Sequence, residues 1–346
     1  MSAAEEPRQP TVVVTTAGAP QTPGTIQHLQ RQGYRVVATD IDPAAPGLYL
    51  ADRCYTVPPG SSEAYLPEIR GICLQEGASA VVPLVDEELV AVSRLADDGI
   101  AVLLPRPGFV ATCLDKYTLM RRLDDAGLPV PLTRRAAEWA GPPGQPIIVK
   151  PRSGRGSRGV VRLESAAGLG ALLAGSDRPA DELIAQDAVC GTEYTVSVAV
   201  WRDGSVQAVV PKEVVLKVGV TKYAVTRRHA RIDEVCRAVQ RELRADGPFN
   251  VQLALDSEGE PRIFEINPRF SSTSPLTLAA GVDEVGGLLG QATVGGPRLN
   301  DDWREGVVMV RRWSDDFVDE ARFAGAGVTP APPPAAAEPA VGVVGS

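Results

Sequence analysis

The strongest constraint on the fold is a pair of alternating segments within residues 249–274, FNVQLALDSEGEPRIFEINPRFSSTS. Successive side chains on a β-strand point to opposite faces, so alternation of apolar and polar residues predicts a half-buried strand. Residues 249–255 and residues 264–267 both alternate, and the segment between them is largely polar and contains a glycine. The sequence therefore predicts a β-hairpin with one apolar and one polar face.

The position of the turn determines which residues of the hairpin face each other. If residues 257–260 form the turn, Gln252 lies opposite Glu265 and Leu253 lies opposite Phe264. The apolar side chains of both strands then share one face, and Gln252, Glu265 and Asn267 share the other. Because a slip of one residue would move every apolar side chain to the wrong face, the agreement of the two alternations fixes this register.

The polar row of the hairpin has the composition of a metal site. One carboxylate and two amide oxygens are hard ligands of the kind that Mg²⁺ prefers. Arg269 follows two residues after Asn267 and adds positive charge at the rim. A half-exposed hairpin with a solvated polar face would have the same residues, and the hairpin alone does not decide between the two interpretations.

Length and charge limit the class of protein. A chain of 346 residues, 44% of them hydrophobic and 23% charged, is long enough for two or three globular units. The net charge of -8 argues against a nucleic-acid partner bound through a generally basic surface. Basic residues nevertheless concentrate in residues 150–162 and 212–231, which favours a small anionic ligand over a polymer.

The sequence gives no indication of zinc, secretion or a membrane partner. The cysteines are widely spaced and form no CxxC pair, and the histidines are limited to His28 and His229, which argues against a zinc site. The first ten residues, MSAAEEPRQP, lack the pattern of a signal peptide. Apolar runs are shorter than the roughly 18 residues needed to cross a bilayer. We therefore expect a cytoplasmic protein.

The N-terminal third alternates between strand and helix patterns. Short apolar runs near residues 11–16, 34–42, 54–57, 79–84 and 100–104 are separated by amphipathic stretches, which predicts a doubly wound parallel sheet of the α/β class. A dinucleotide site is the alternative, with Gly18 in the first turn and Asp40 ending the second strand. The turn reads GAPQTPG and lacks the G-x-G-x-x-G spacing, so this signal is weak.

A second informative stretch is residues 147–161, IIVKPRSGRGSRGVV. A strand leads to Lys150, and a loop of small residues follows before a second strand. Glycines allow backbone N–H groups to approach phosphate oxygens closely, and the lysine supplies charge. A strand rather than a helix follows the loop, which argues against a Walker A motif. A mobile basic hairpin is the alternative interpretation.

The remaining segments predict further elements of an α+β region. Asp115 is expected to cap a helix that ends at Gly127. Residues 182–200 are typical of two strands with a kink at residues 188–192, and residues 232–243 of an amphipathic helix. Residues 212–231 are expected to form a long irregular loop, and the Ala/Pro-rich residues 325–346 a disordered tail.

Taken in order, these features resemble the ATP-grasp superfamily over residues 11–323, with greatest similarity to its carbamoyl-phosphate-synthase-like branch and the stand-alone carboxylate–amine ligases of that branch. The segments that carry the resemblance are LDKYTLM around Lys116, IIVKPRSGRGSRGV, QDAVCGTEYTV, and VQLALD with FEINPRFSSTS. The resemblance implies a pre-ATP-grasp domain in residues 1–107, a linker helix and lid subdomain in 108–188, and an antiparallel catalytic domain in 189–324.

The resemblance also implies roles for individual residues. ATP would be bound by the lysines Lys116 and Lys150, by the loop residues Ser153, Gly154, Gly156, Ser157 and Gly159, and by Gln186, Asp187, Val189 and Glu193. The metal, Mg²⁺ with Mn²⁺ as an alternative, would be held by Gln252, Glu265 and Asn267. Lys150, Glu265 and Arg269 would be catalytic. Many relatives carry an acid where this chain has Gln252. Ser271, Ser272, Lys217, Lys222 and Arg228 would be candidate substrate contacts, although each of them taken singly is equally compatible with a solvated loop.

The implied reaction joins a small carboxylate to a small amine through an acyl phosphate, with release of ADP and phosphate. The expected substrates are amino acids or peptides, and a homodimer is one option for the assembly. Phosphorylation of bicarbonate or of a carboxylate, a non-catalytic nucleotide sensor, and an NAD-dependent oxidoreductase are the alternatives. The intact set of Lys150, Glu265, Asn267 and Arg269 argues against a sensor.

Overall fold

The computed structural model describes residues 10–142 and 144–319, and within these residues the strands form three sheets. The predicted disordered tail, residues 325–346, lies outside the described residues. Among the described helices, none is long and apolar enough to span a bilayer.

The first sheet is parallel throughout and has the strand order β3-β2-β1-β4-β5. Its strands are β1 Thr11–Val14, β2 Arg35–Asp40, β3 Arg53–Thr56, β4 Ala78–Val82 and β5 Ala101–Val102. Its helices are α1 Thr22–Arg31, α2 Pro46–Leu50, α3 Tyr65–Glu76 and α4 Leu89–Val92.

Helices cover both faces of this sheet. Val12 and Val14 pack in a core with α1, whereas Val13 packs in a separate core with α3. A strand that is buried on both faces requires a continuous apolar run, and TVVV in β1 is such a run. The prediction of a doubly wound parallel sheet is confirmed.

The second sheet is small and antiparallel, with the order β6-β9-β7-β8. Two helices lead into it, α5 Pro107–Leu114 and α6 Lys116–Asp125. Asp115 caps α6 as predicted, because its carboxylate accepts from the backbone N–H groups of Tyr117 and Thr118. The sheet is built from β6 Thr133–Arg135, β7 Ile147–Pro151, β8 Val161–Leu163 and β9 Leu183–Asp187, with α7 Leu169–Ala174 packed beside it.

The third sheet is antiparallel and has the order β14-β13-β10-β11-β12-β15. Its strands are β10 Thr192–Val200, β11 Val206–Val218, β12 Val220–Thr226, β13 Phe249–Leu255, β14 Pro261–Asn267 and β15 Val308–Val310. Its helices are α8 Ala230–Leu243, α9 Ser274–Ala280 and α10 Glu284–Val294. The α/β class with an antiparallel C-terminal part is therefore as predicted.

The irregular loop predicted for residues 212–231 is wrong. Strand β11 continues to Val218, Gly219 turns with φ at +69°, and β12 returns antiparallel to it. The prediction failed because the segment is rich in basic residues, which suggested exposure to solvent. Lys212 is instead fully buried, and its Nζ donates to the hydroxyls of Ser197 (2.7 Å) and Thr277 (2.8 Å).

The predicted hairpin register is confirmed in its polar row and wrong in one apolar pair. Gln252 pairs with Glu265 and Asn250 pairs with Asn267, but Leu253 pairs with Ile263 rather than with Phe264. A bulge adds one residue to β14 at this point, and such an insertion moves a side chain to the other face. Ile263 therefore fills the core position expected for Phe264, and Phe264 lies on the polar face.

Candidate active site

A cleft of about 460 Å³ lies where the three sheets meet. The first sheet contributes the loops after β1 and β4, the second contributes β7 and the loop that follows it, and the third contributes β13, β14 and the tip of the β11–β12 hairpin. Of the twenty residues predicted to bind ATP, metal or substrate or to be catalytic, all but Gly159, Lys222 and Arg228 line this cleft. The seventeen that do are Lys116, Lys150, Ser153, Gly154, Gly156, Ser157, Gln186, Asp187, Val189, Glu193, Lys217, Gln252, Glu265, Asn267, Arg269, Ser271 and Ser272.

The polar row of the hairpin points into the cleft. Gln252, Glu265 and Asn267 all line it, and Lys116 Nζ lies 3.6 Å from Glu265 Oε1. Within the described residues, no hydrogen bond occupies the side-chain oxygens of Glu265 or Gln252, so these oxygens are available to a cation. The described chain contains no cluster of three His, Cys, Asp or Glu side chains that could hold a metal. One carboxylate with amide oxygens therefore suits Mg²⁺ better than zinc.

Lys150 lies at the inner wall of the cleft. It is 5% exposed, and its Nζ donates to Gln186 Oε1 (2.9 Å) and to the Phe264 carbonyl (3.1 Å). Burial lowers the pKa of Lys150 from 10.5 to about 8, and this effect outweighs the opposing attraction of Glu265. The site therefore carries an ammonium group whose charge is poorly solvated until an anion approaches.

Lys116 begins helix α6 and contacts the glycine-containing loop. Its backbone N–H donates to the Arg152 carbonyl (2.9 Å), and its Nζ donates to the Gly154 carbonyl (2.6 Å). The Lys116 side chain is 7% exposed. These contacts place a second ammonium between the loop and the metal row.

The loop between β7 and β8 depends on backbone conformations that favour glycine. Gly154, Gly156 and Gly159 have φ values of +124°, +66° and +72°, and Ser157 has +58°. The first two glycines and Ser157 line the cleft, whereas Gly159 packs against Pro151, where a Cβ would come within 3.2 Å of the ring. The loop can therefore bring its backbone close to a ligand, and Gly159 supports its base.

The far end of the cleft is formed by the connection between β9 and β10. Gln186 is 2% exposed and uses both ends of its amide within the protein, because its Oε1 accepts from Lys150 and its Nε2 donates to Thr133 Oγ1 (2.9 Å). The Asp187 N–H donates to the Leu132 carbonyl (3.0 Å). In the described chain the Val189 N–H has no acceptor. The backbone N–H of Val189 is therefore available to a base in the cleft. The Gln186 side chain orients Lys150.

Glu193 and Lys217 form an ion pair inside the cleft. Lys217 Nζ lies 2.6 Å from Glu193 Oε1, and each side chain is about one-third exposed. Lys217 lies near the end of β11. Glu193, which is predicted to bind ATP, is therefore paired with a residue near the tip of the β11–β12 hairpin.

Arg269 lies where the first and third sheets meet. Its Nε donates to Asp86 Oδ1 (2.6 Å), its Nη1 to the Phe270 carbonyl (3.2 Å) and its Nη2 to Asn267 Oδ1 (3.4 Å). Arg269 and Asp86 are 13% and 11% exposed. A fixed guanidinium thus lies beside the proposed metal row.

Two of the predicted substrate contacts lie away from the cleft. Lys222 lies over the ring of Trp313, and Arg228 lies over the ring of Trp303 and donates to its carbonyl (2.5 Å). Both lie outside the lining of the cleft. The prediction treated residues 212–231 as one long irregular loop. A regular hairpin instead brings only its tip, residues 217–221, to the cleft.

Sequence reasoning missed the apolar surfaces and the acidic turn of the site. Phe264, Ile148 and Ala254 line the cleft and offer apolar contact to a flat ring. Asp86 was not recognised because it precedes Arg269 by 183 residues. The run of three acids in DEE is the signal that could have drawn attention to it.

Family models agree with the resemblance inferred from the sequence. The model of an ATP-grasp domain matches residues 113–273, and the model described as PylC-like, N-terminal domain matches residues 13–102. A search of curated proteins found no significant match.

Solved structures show the same fold at low sequence identity. An L-amino acid ligase from Bacillus licheniformis is 17% identical, with 87% of this chain and 78% of that chain covered and a TM-score of 0.67. The biotin carboxylase domain of the 2-oxoglutarate carboxylase from Hydrogenobacter thermophilus, in complex with MgADP and bicarbonate, is 18% identical over 86% and 73%, with a TM-score of 0.69. An N5-carboxyaminoimidazole ribonucleotide synthetase from Thermotoga maritima is 18% identical over 85% and 78%, with a TM-score of 0.63.

Proposed function

The chain belongs to the ATP-grasp superfamily, and on that basis we propose that it is an ATP-dependent ligase that joins a small carboxylate to a small amine. The proposed reaction proceeds through an acyl phosphate and releases ADP and phosphate. We propose amino acids as the substrates, Mg²⁺ as the metal and Mn²⁺ as a possible replacement for it.

The observation that supports this proposal most strongly is the convergence of charges on one cleft. Lys116, Lys150 and Arg269 surround the row formed by Gln252, Glu265 and Asn267. Transfer of a phosphoryl group requires mainly positioning and neutralisation of charge. A site in which fixed cations face a metal-binding row supplies both.

Each residue then has a defined part in the proposed reaction. Mg²⁺, held by Glu265 and Asn267 with help from Gln252, would neutralise phosphate oxygens. Lys150 and Lys116 would hold the triphosphate while the substrate carboxylate attacks the terminal phosphorus and ADP leaves. Arg269 would then stabilise the oxyanion that forms when the amine attacks the acyl carbon, and phosphate would leave as the amide forms.

The glycine-containing loop would protect the intermediate. An acyl phosphate that is exposed to water hydrolyses, so exclusion of water favours the amine. The loop lines the cleft with Ser153, Gly154 and Gly156, and Arg155 connects it to Glu87 in the turn after β4 (2.7 Å). No step of this scheme requires a nucleophilic side chain from the protein.

Phosphorylation of bicarbonate is the second candidate. One protein of the same fold was solved with MgADP and bicarbonate, and the same charges would stabilise carboxyphosphate. The two reactions differ in the acceptor, so turnover with bicarbonate alone separates them.

The test is ATP turnover with pooled amino acids and small carboxylates in the presence of Mg²⁺, with separate quantification of ADP and AMP. ADP and phosphate that appear only with a pool would support the ligase, and subdivision of the pool would identify the substrates. AMP and pyrophosphate would contradict the acyl-phosphate mechanism. ADP release with bicarbonate and no amine would favour the second candidate.

A further inference from the structure

The turn after β4 carries three consecutive acids that contact three different parts of the protein. Asp86 Oδ1 accepts from Arg269 Nε (2.6 Å), and Glu87 Oε2 accepts from Arg155 Nε (2.7 Å). Glu88 points inward and is 2% exposed. One short turn therefore contacts both the reaction centre and the loop that covers it.

Glu88 anchors this turn in the first domain. Its Oε1 accepts from Thr15 Oγ1 (2.6 Å), from the Leu84 N–H (2.9 Å) and from the Val85 N–H (3.1 Å). The Tyr65 hydroxyl donates to its Oε2. Because buried hydrogen bonds hold the backbone on the N-terminal side of the turn, the positions of Asp86 and Glu87 are fixed relative to the sheet.

The bonding of Arg269 shows what Asp86 contributes. A guanidinium has five N–H donors, and three bonds of Arg269 go to Asp86, the Phe270 carbonyl and Asn267. Within residues 10–142 and 144–319, the other two donors, both on Nη atoms, have no acceptor. Asp86 itself does not line the cleft, whereas Arg269 does. Asp86 therefore holds the Nε side and leaves Nη donors for a ligand.

We propose that the turn Asp86–Glu88 positions the reaction site, with Asp86 as the positioning residue for Arg269 and Glu87 as the contact that holds the glycine-containing loop. This inference rests on the proposed function, because it assigns Arg269 to the reacting phosphoryl group. Since both acids lie on one anchored turn, the loop and the guanidinium are both positioned relative to the same part of the first sheet.

The two ion pairs differ in their surroundings, and this predicts different kinetic effects. Asp86 and Arg269 are 11% and 13% exposed, whereas Glu87 and Arg155 are 40% and 35% exposed. Salt screens an exposed pair and leaves a buried one largely intact. Because Asp86 holds the guanidinium that is assigned to the reaction, its contact should act on the chemical step. Because Glu87 holds the glycine-containing loop through an exposed ion pair, its contact should act on nucleotide retention and depend on salt.

The experiment compares Asp86→Asn, Glu87→Gln and a matched control, Glu76→Gln, which removes an ion pair of the same domain with Arg35 (2.5 Å). We expect Asp86→Asn to lower kcat at least about tenfold, with the KM for ATP within about twofold, and to weaken the binding of inorganic phosphate to the MgADP complex by a similar factor. We expect Asp86→Glu to recover part of both effects. Glu87→Gln should raise the KM for ATP about threefold and accelerate tryptic cleavage after Arg155 and Arg158, with kcat within about twofold.

Several outcomes would overturn the inference. One is an Asp86→Asn variant whose kcat and phosphate binding match those of Glu76→Gln; another is a change that appears in KM alone. Unchanged tryptic cleavage in Glu87→Gln would remove the loop contact from the proposal. A wild-type protein that neither turns over ATP nor binds phosphate with MgADP would refute the proposed function itself, and the inference would fall with it.

Discussion

Nucleotide binding should be accompanied by the uptake of a proton at Lys150. Burial holds the pKa of this lysine at about 8, against an ordinary value of 10.5. A polyphosphate placed beside Lys150 Nζ would stabilise the charged form and raise the pKa again. The difference between the two values corresponds to about 3 kcal/mol, which is the upper limit of what proton binding can contribute.

The number of protons follows from these pKa values. At pH 8 about half of the protein molecules without nucleotide are protonated at Lys150. Saturation with MgADP should therefore take up about 0.5 proton per molecule if the pKa of Lys150 in the complex exceeds 10. At pH 7 the uptake should fall to about 0.1, and at pH 9 it should rise to about 0.9. The sign is positive throughout this range because the bound form has the higher pKa.

The assay is calorimetric titration with MgADP at these three pH values in buffers of different ionisation enthalpy. The slope of the observed enthalpy against the buffer enthalpy gives the number of protons taken up. Lys150→Met should abolish the uptake and weaken MgADP binding about 10- to 100-fold. Lys212 has a similarly lowered pKa of about 8, but its hydrogen bonds go to Ser197 and Thr277 outside the cleft, so it should not respond to the nucleotide.

Two results would refute this reasoning. Proton uptake that does not change between pH 7 and pH 9 would mean that Lys150 does not titrate in this range. Uptake that persists in Lys150→Met would assign the proton to another group.

Two further predictions concern the apolar wall and the acidic turn. Phe264→Ala should weaken MgADP binding by about 1–2 kcal/mol through loss of contact with the base and leave the free energy of urea unfolding nearly unchanged. The control Phe249→Ala, in the core, should lower the free energy of unfolding by about 3–5 kcal/mol. Equal losses of stability in the two variants would contradict the placement of Phe264 in the cleft. Burial raises the pKa of Glu88, so the stability that this carboxyl contributes is present at low pH and lost as the pH rises through the raised pKa. Glu88→Gln should therefore gain stability relative to wild type in urea unfolding as the pH rises above 4.5, the ordinary pKa of a glutamate, and a stability difference that does not change with pH would contradict the raised pKa of Glu88.

The sequence was most informative where two local patterns had to agree. Alternation in both strands of the 249–274 hairpin fixed the pairing of Gln252 with Glu265, because any other register exposes apolar side chains. Continuous valine runs such as β1 indicated a sheet covered on both faces. These features depend on neighbours in sequence, which is why they could be predicted.

The features that were missed depend on contacts distant in sequence. At the bulge, the apolar residues Ile263 and Phe264 are adjacent, and the sequence alone does not tell which of them is buried; the pairing with β13 shows that Phe264 lies in the cleft. The burial of Lys212 depends on Ser197 and Thr277, which come from β10 and α9. The orientation of Arg269 depends on Asp86, which follows a strand of another sheet, and no local pattern encodes that pairing.

The most direct test of the proposed mechanism follows the oxygen of the substrate carboxylate. Once the pooled assay has identified the substrates, the carboxylate is supplied with both oxygens as ¹⁸O, and the phosphate released with ADP is examined by mass spectrometry. The acyl-phosphate mechanism predicts one ¹⁸O atom in each phosphate, because the carboxylate oxygen that attacks ATP leaves with the phosphoryl group. Phosphate without ¹⁸O, or label recovered in AMP, would contradict it.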